Sequence, residues 1–321
     1  MNAISIEAPG GPDVLRPADL PIPHPAAGEI LVRTHAIGVN YIDVYYRIGR
    51  YAAPHSPFTP GMEAAGVVDA VGEGVTKFAV GDRVAYAQTL GSYAEYAVVP
   101  ASKAVAVPEA VSFRDAAALM LQGMTAHYLV NSTFPLAAGQ VAVVHAAAGG
   151  VGLLLVQLAK AKGARVIATV STDAKEELAR RAGADEVLRY EGFEHEVRRL
   201  TDGVGADVIY DGVGAATFDA GLDALRKRGM LVLYGAASGP VAPLDLQKLN
   251  VKGSLFTTRP TLGDYIATEA ELTLRASELF AAVADGTLAL RLEQEYPLAE
   301  AARAHRDLET RATTGKLLLI P

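Results

Sequence analysis

The spacing of apolar positions changes character near Ala116. Before it, short runs with strand character (Ile30 to Ala36, Ala65 to Val71, Arg83 to Ala87, Tyr93 to Val99) are cut by Pro and Gly clusters such as PIPHPAAGE and VGEGV. This punctuation predicts a β-rich, turn-rich region, an irregular partial barrel. A 3.6-residue period holds there only over Asp43 to Gly49 and Ser112 to Met124, which predicts a helix at each. After Ala116 strand and helix patterns alternate. Strand runs at 141–145, 166–170, 186–190 (EVLRY), 207–211 (DVIYD), 230–235 (MLVLYG) and 253–256 (GSLF) make six, the number in a doubly wound dinucleotide-binding sheet.

The tail has helical spacing over 265–285 and 298–310 and closes on the strand-like GKLLLI. It is too short to bury a core of its own, so it is expected to pack back on the N-terminal part. The resulting expectation is an α/β protein with residues 1–120 and 261–321 in one discontinuous domain and 121–260 in a Rossmann domain between them.

The pattern is densest from Gln140 to Ser171, where strand, turn, helix and strand follow one another in βαβ order. The turn is built of small residues, Ala146 to Gly152. A strand reversing into a helix leaves unpaired N–H groups at the positive end of the helix dipole, which suits a pyrophosphate that side chains would hold away. Gly149, Gly150 and Gly152 remove those side chains; Ala147 stands where the G-x-G-x-x-G pattern has its first glycine. NAD sites place an acid at the tip of the second strand to bond the ribose 2′-hydroxyl. Here Val170 is followed by Ser171 and Thr172, with Lys175 one turn on, so the expected cofactor is NADPH. Asp173 is read as the N-cap of the helix that continues KEELARRAG.

Composition narrows the classes. The net charge is −7 with no long basic run, which argues against a nucleic-acid surface. There are no cysteines, so disulfides, thiolate zinc sites and cysteine nucleophiles are excluded. The first residues show no leader pattern, because Glu7 and Pro9-Gly10-Gly11-Pro12 interrupt them. No Asp, Glu, Lys or Arg occurs between Asp115 and Lys160, yet Gly123, Pro135 and Gly139 punctuate that stretch. A buried helix and a buried parallel strand account for it better than a membrane span. A cytoplasmic protein is expected.

Several phrases then coincide: GVNYIDVYYRIGRY (38–51), PGMEAAGVV (60–68), VGDRVAY (80–86), GSYAEY (91–96), LMLQGMTAHYLV (119–130), AAAGGVG (146–152), VIYDGVG (208–214), LFTTRP (255–260) and RATTGKLLL (311–319). In order and over essentially the whole chain, they resemble the quinone oxidoreductase (zeta-crystallin-like) branch of the medium-chain dehydrogenase/reductase superfamily. The resemblance implies a GroES-like catalytic domain beside the Rossmann domain, a homodimer, and a substrate held in the cleft between the domains. It places Ser171, Lys175 and Tyr190 around the 2′-phosphate, Gly149, Gly150 and Val151 at the pyrophosphate, and Gly235, Ala236, Ser238, Phe256 and Thr257 along the nicotinamide half, with Tyr41 and Asp43 also at the cofactor.

The zinc enzymes of that superfamily carry Cys, and His within a Gly-His-Glu triplet. Here the corresponding residues are Asn40 and the triplet Gly61-Met62-Glu63, and the seven histidines show no ligand spacing, so no metal is expected. The implied reaction is hydride transfer from NADPH to a quinone, with hydrogen-bond donors stabilising the developing oxyanion. Candidate donors are Asn40, Tyr45, Tyr51, Thr125, Tyr128 and Arg259. Reduction of α,β-unsaturated carbonyls (enal, enone or enoyl thioester) is the alternative within the enzyme class; an NADPH-binding structural or RNA-associated role is the alternative outside it.

Overall fold

The computed structural model describes residues 1–310 and 313–321. Of the phrase RATTGKLLL, Arg311 and Ala312 therefore lie outside the described residues. The chain divides into two compact units, Met1–Met124 with Tyr265–Pro321, and Thr125–Asp264.

In chain order the first unit begins with β1 (Asn2–Ser5), β2 (Arg16–Asp19), β3 (Glu29–Val39), α1 (Tyr41–Arg47), β4 (Glu63–Val71), β5 (Arg83–Ala87), β6 (Tyr96–Pro100), β7 (Ala104–Ala106) and α2 (Phe113–Met120), and the division from the second falls within α3 (Gln122–Tyr128). The second unit holds β8 (Val141–Val144), α4 (Gly150–Ala161), β9 (Arg165–Thr169), α5 (Asp173–Arg181), β10 (Glu186–Leu188), α6 (Phe193–Leu200), β11 (Ala206–Asp211), α7 (Phe218–Ala224), β12 (Leu225–Leu233), α8 (Leu246–Val251) and β13 (Phe256–Thr258). The chain then returns through α9 (Leu262–Tyr265), α10 (Glu269–Ala284), β14 (Leu292–Pro297), α11 (Ala301–Glu309) and β15 (Lys316–Ile320).

The second unit is a six-stranded parallel sheet in the order β10-β9-β8-β11-β12-β13, the doubly wound arrangement. Its central strands read as unbroken apolar runs because a parallel sheet is covered on both faces; Ala142, Val143, Val144, Val166, Ile167 and Ala168 are all fully buried. In the first unit seven strands run β14-β15-β3-β4-β5-β7, with β6 also paired to β3. Ile30, Val32, Ile37, Val84, Tyr86 and Val99 are among the residues of its core.

Four details depart from the sequence expectations. The run from Tyr93 does not join β6 until Tyr96, because the Ile4 amide bonds the Tyr93 carbonyl and Ala94 bridges Ala3 instead. The single helix expected over Ser112 to Met124 is two, parted at Leu121, whose amide is donated to the Glu63 carboxylate at 2.5 Å rather than along the helix. β13 starts at Phe256 and not at Gly253, since Gly253 and Ser254 both have positive φ and make a turn. The polar edge strand β14, LEQEYP, was absent from the expectations, because an edge position needs no apolar alternation.

Candidate functional site

The glycine turn is anchored before it offers anything to a ligand. His145 donates its amide to the Tyr210 carbonyl at 3.1 Å and Ala147 donates to Thr169 at 3.2 Å, tying the end of β8 to its two neighbours. α4 then starts behind Gly149, which provides no side-chain cap. Twelve residues of helix thus present amides and a positive dipole end to solvent. A Cβ at Gly152 would stand 2.2 Å from the Ala146 carbonyl oxygen, so only glycine lets helix and turn approach this closely. The cradle fits a pyrophosphate, and Gly149, Gly150 and Val151 form its rim.

At the tip of β9, Ser171 is exposed and Thr172 caps α5, its Oγ1 accepting the Lys175 amide at 3.3 Å. Thr172 rather than Asp173 is therefore the cap. The reason is conformational: Thr172 has the extended backbone an N-cap requires, whereas Asp173 is already in the first turn. The Asp173 carboxylate is bound instead by the Arg189 guanidinium at 2.5 Å. Tyr190 accepts the Ala146 amide on its hydroxyl at 3.2 Å, joining the end of β10 to the glycine turn. Because Leu188 is level with Thr169, the segments carrying Ser171, Lys175 and Tyr190 meet at one end of the sheet.

The loops after β11 and β12 form a second rim at that same edge. The buried Asp211 carboxylate accepts the Val213 and Gly214 amides at 2.7 and 3.0 Å and the Thr217 hydroxyl at 2.8 Å. Gly235 donates its amide to the Asp211 carbonyl, while the Ser238 hydroxyl donates to Val213 and accepts from the Ala216 amide. Gly235, Ala236 and Ser238 are thereby placed together. Arg259 joins this rim, donating to the Leu233 carbonyl at 3.0 Å. Phe256 does not: it pairs with Met230, two residues short of the Thr258–Val232 level, roughly 7 Å down the strand at ~3.3 Å per residue. Thr257 lies between. Thr125 and Tyr128, on α3, are both buried.

The candidate residues of the first unit sit around a buried polar cluster. Strand register assembles it: Leu317 pairs with Val39 and Ile37 with Ala64, which puts Lys316 beside Asn40 and Glu63 beside Gly38. Gly38 is required there, since a Cβ would fall 2.1 Å from the Glu63 carboxylate. The Lys316 ammonium forms an ion pair with Glu63 and donates to Asn40 Oδ1 at 2.8 Å. Asn40 donates Nδ2 to Glu63 at 2.6 Å and accepts Gln122 Nε2 at 3.1 Å. Its amide is thus already engaged three times.

A second chain of buried groups continues from α1. Asp43 Oδ2 accepts the Asn40 amide at 2.8 Å and the Tyr93 hydroxyl at 3.1 Å. Tyr93 also lies 2.9 Å from His305 Nε2, and His305 Nδ1 lies 3.2 Å from Arg47 Nη1. Arginine can only donate, so Nδ1 accepts and Nε2 carries the proton that it gives to Tyr93. The chain therefore has one direction, from Arg47 through His305 and Tyr93 to Asp43. Burial, with the Arg47 charge, lowers His305 to about 3, which keeps it neutral. Burial pushes the Asp43 carboxyl up to about 7 despite the hydrogen bonds it accepts. Arg47 is held in turn by Glu309 through two contacts of 2.8 Å.

Above this chain α1 displays its tyrosines. Tyr45 and Tyr51 meet edge to face with ring centroids 5.5 Å apart, Tyr46 packs on Tyr51 at 5.7 Å, and the Arg50 guanidinium lies 4.7 Å from the Tyr45 ring. Tyr41 donates its hydroxyl to the Leu308 carbonyl at 3.1 Å. The sequence phrase 38–51 thus divides: Tyr45 and Tyr51 come together at an accessible face, while Asn40 and Asp43 turn inward with 3% and 0% exposure.

The Asn40–Met62–Glu63 positions do not suit zinc. An amide and a thioether are poor partners for that ion, the Glu63 carboxylate is already neutralised by Lys316, and among the described residues no group of His, Cys, Asp or Glu has the geometry of a metal site. Lys316, Arg189 and Asp211 went unnoticed in the sequence. Asp211 could have been found from its place at the end of a parallel strand before Gly212; Lys316 carries no local signal at all.

Comparison with known proteins places the chain in a family. Residues 26–109 match the family described as alcohol dehydrogenase GroES-like domain and residues 150–271 that described as zinc-binding dehydrogenase. A quinone oxidoreductase of Pseudomonas aeruginosa is 47% identical over 321 residues, 99% of either chain. A 2-haloacrylate reductase of a Burkholderia species is 41% identical over 331 residues, covering 99% of this chain and 98% of that protein. The crystal structure of an Escherichia coli quinone oxidoreductase complexed with NADPH superposes with a TM-score of 0.98 at 44% identity, each chain covered completely.

Proposed function

The chain belongs to the quinone oxidoreductase family, and from that premise we propose that it transfers hydride from NADPH to a quinone without zinc. The observation that carries the reading is one end of a sheet: a helix start opened by Gly149, Gly150 and Gly152, beside a β9 tip that offers Ser171 and Lys175. When bound, NADPH supplies the hydride; the protein supplies position and electrostatics.

In this reading the α4 amides, with Gly149, Gly150 and Val151, take the pyrophosphate, and Ser171, Lys175 and Tyr190 take the 2′-phosphate. Gly235, Ala236 and Ser238 line the nicotinamide half, with Thr257 and Phe256 below them. In the first unit Tyr45 and Tyr51 offer aromatic surface and hydroxyl donors to a quinone ring; in the second, Arg259, Thr125 and Tyr128 are the candidate donors. Asn40 and Asp43, spent on internal hydrogen bonds, are positioning residues that fix the start of α1 and with it Tyr41, Tyr45 and Tyr51. A conjugated oxyanion is weakly basic, so hydrogen-bond donors and solvent protons suffice where a simple ketone would need a Lewis acid.

A second reading is favoured by one finding, the 41% identity to a 2-haloacrylate reductase: hydride delivery to a conjugated carbon–carbon double bond. We also propose a homodimer, supported by the open edge of β13 with Phe256 54% exposed and by Val251 on α8 at 85%. Among the described residues no helix is long and apolar enough to cross a membrane. A cytoplasmic location is part of the same proposal.

The test is the rate of NADPH oxidation by the purified protein with ortho- and para-quinones, 2-alkenals, 2-haloacrylate and an enoyl thioester, repeated with NADH. Quinone turnover preferring NADPH is expected. Turnover only with the alkenals or haloacrylate would transfer the protein to the double-bond reductases, and binding without turnover would remove the enzymatic reading.

A further inference from the structure

The cofactor reading leaves one cation at the β9–β10 end of the sheet without a task. Arg189 follows β10 directly, and its guanidinium bridges Asp173 at 2.5 Å and Glu176 at 3.0 Å. Both acids stand in the first turn of α5, where they suit the helix dipole. The Asp173 side chain is wholly exposed, and Glu176 is also bound by Arg180 at 2.8 Å.

Their placement matters because a doubly wound sheet receives the adenosine ribose at the tip of its second strand. β9 is that strand here, and α5 begins four residues after Thr169. Two carboxylates at this point would repel a 2′-phosphate and leave a 2′-hydroxyl indifferent. The β9–β10 register, with Leu188 level with Thr169, carries Arg189 past the sheet edge to where it can cover them. With Arg189 present, both carboxylates are paired; without it Asp173 loses the guanidinium that binds it, and Glu176 keeps Arg180. The guanidinium hydrogen bonds also hold the Glu176 carboxyl below its ordinary range, through Arg180 first and Arg189 second.

We propose that Arg189 determines the preference for NADPH over NADH by neutralising Asp173 and Glu176 beside the 2′-phosphate position. It does so without touching the phosphate, as a positioning charge. The inference rests on the reading that Ser171, Lys175 and Tyr190 take that phosphate.

Steady-state kinetics with both cofactors test it. Arg189→Gln is expected to raise the KM for NADPH about tenfold, with kcat and the KM for NADH held, the size expected for one unit charge several ångströms from a phosphate in partly solvated surroundings. Adding Asp173→Asn to that variant removes the uncovered charge and restores most of the lost affinity. The melting temperature stays constant, because exposed ion pairs contribute little to stability; a merely structural Arg189 would instead lower it and disturb both cofactors alike. Equal changes for NADPH and NADH, or no rescue by Asp173→Asn, overturn the proposal. Lys175→Ala separates its failure from that of the underlying reading. If Lys175→Ala weakens NADPH selectively and Arg189→Gln is silent, the phosphate site stands and the role of Arg189 falls; if neither variant discriminates, the phosphate site is elsewhere.

Discussion

Two ion-paired clusters, one in each unit of this protein, lie in opposite places. In the first, Glu63 and Lys316 are at most 3% exposed and pair with each other in the interior. In the second, the ion pairs at the cofactor end lie on the surface, Asp173 fully open and Arg189 39% exposed. The difference teaches what each kind of charge can do. An interior charge cannot lose its partner without a large desolvation penalty, so it fixes geometry. A surface charge is weakly coupled to folding and remains available to tune a ligand.

The sharpest break of that contrast is Lys316→Met, which leaves Glu63 buried without its cation. A loss of about 3–5 kcal/mol is expected in urea denaturation, and Glu63→Gln added to it should recover part of the loss. A change below about 1 kcal/mol would mean that water reaches the cluster.

Next in size is a pH effect built on Asp43 and His305. Asp43, raised to about 7 by burial, keeps in the fold a proton that the unfolded chain releases above about pH 4, so this group lowers stability as pH rises from 4 to 7. His305, lowered to about 3 by burial and Arg47, stays neutral in the fold while the unfolded chain binds a proton below about pH 6.5, so its contribution falls as pH drops. Between about pH 4 and 6.5 the two slopes oppose and the parent protein should be nearly flat. His305→Gln should then lose stability as pH rises, and Asp43→Asn should lose it as pH falls, by at most about 1.4 kcal/mol per pH unit. Thermal unfolding across that window checks both signs; parallel profiles in the three proteins would break the pairing.

In the second unit the expected penalties shrink and shift to the ligand. Gly152→Val drives a side chain into the Ala146 carbonyl and should cost about 1–3 kcal/mol of stability, with NADPH affinity reduced at least about tenfold because the α4 start moves. Isothermal titration would expose an error if affinity were unchanged. Smallest of all, Arg181→Ala removes an exposed pair with Glu177, 65% and 69% accessible, and should stay within about 0.5 kcal/mol.

Much of the architecture was readable because it is local. The alternation of buried apolar runs with helical spacing marked β8, α4 and β9, and the glycines of 149–152 announced the turn between β8 and α4, since each of these signals is contained in one short stretch of chain. The same locality explains the errors. Thr172 and Asp173 are both good caps in sequence, and only their backbone angles separate them. Leu121 reads as the middle of a helix until Glu63 takes its amide. Arg189 is legible as the end of a strand, yet its partners on α5 become visible only when β10 is laid beside β9.

By itself, then, the sequence determined the parallel sheet, the glycine-rich turn and the absence of thiolate ligands, because periodicity, glycine spacing and composition are properties of neighbouring residues or of the whole count. The tertiary structure alone decided that Asn40 and Asp43 point inward while Tyr45 and Tyr51 face out, and that Lys316 closes on Glu63 from 253 residues away. Such pairs are set by strand register, and register is a relation between segments that no stretch of one chain contains.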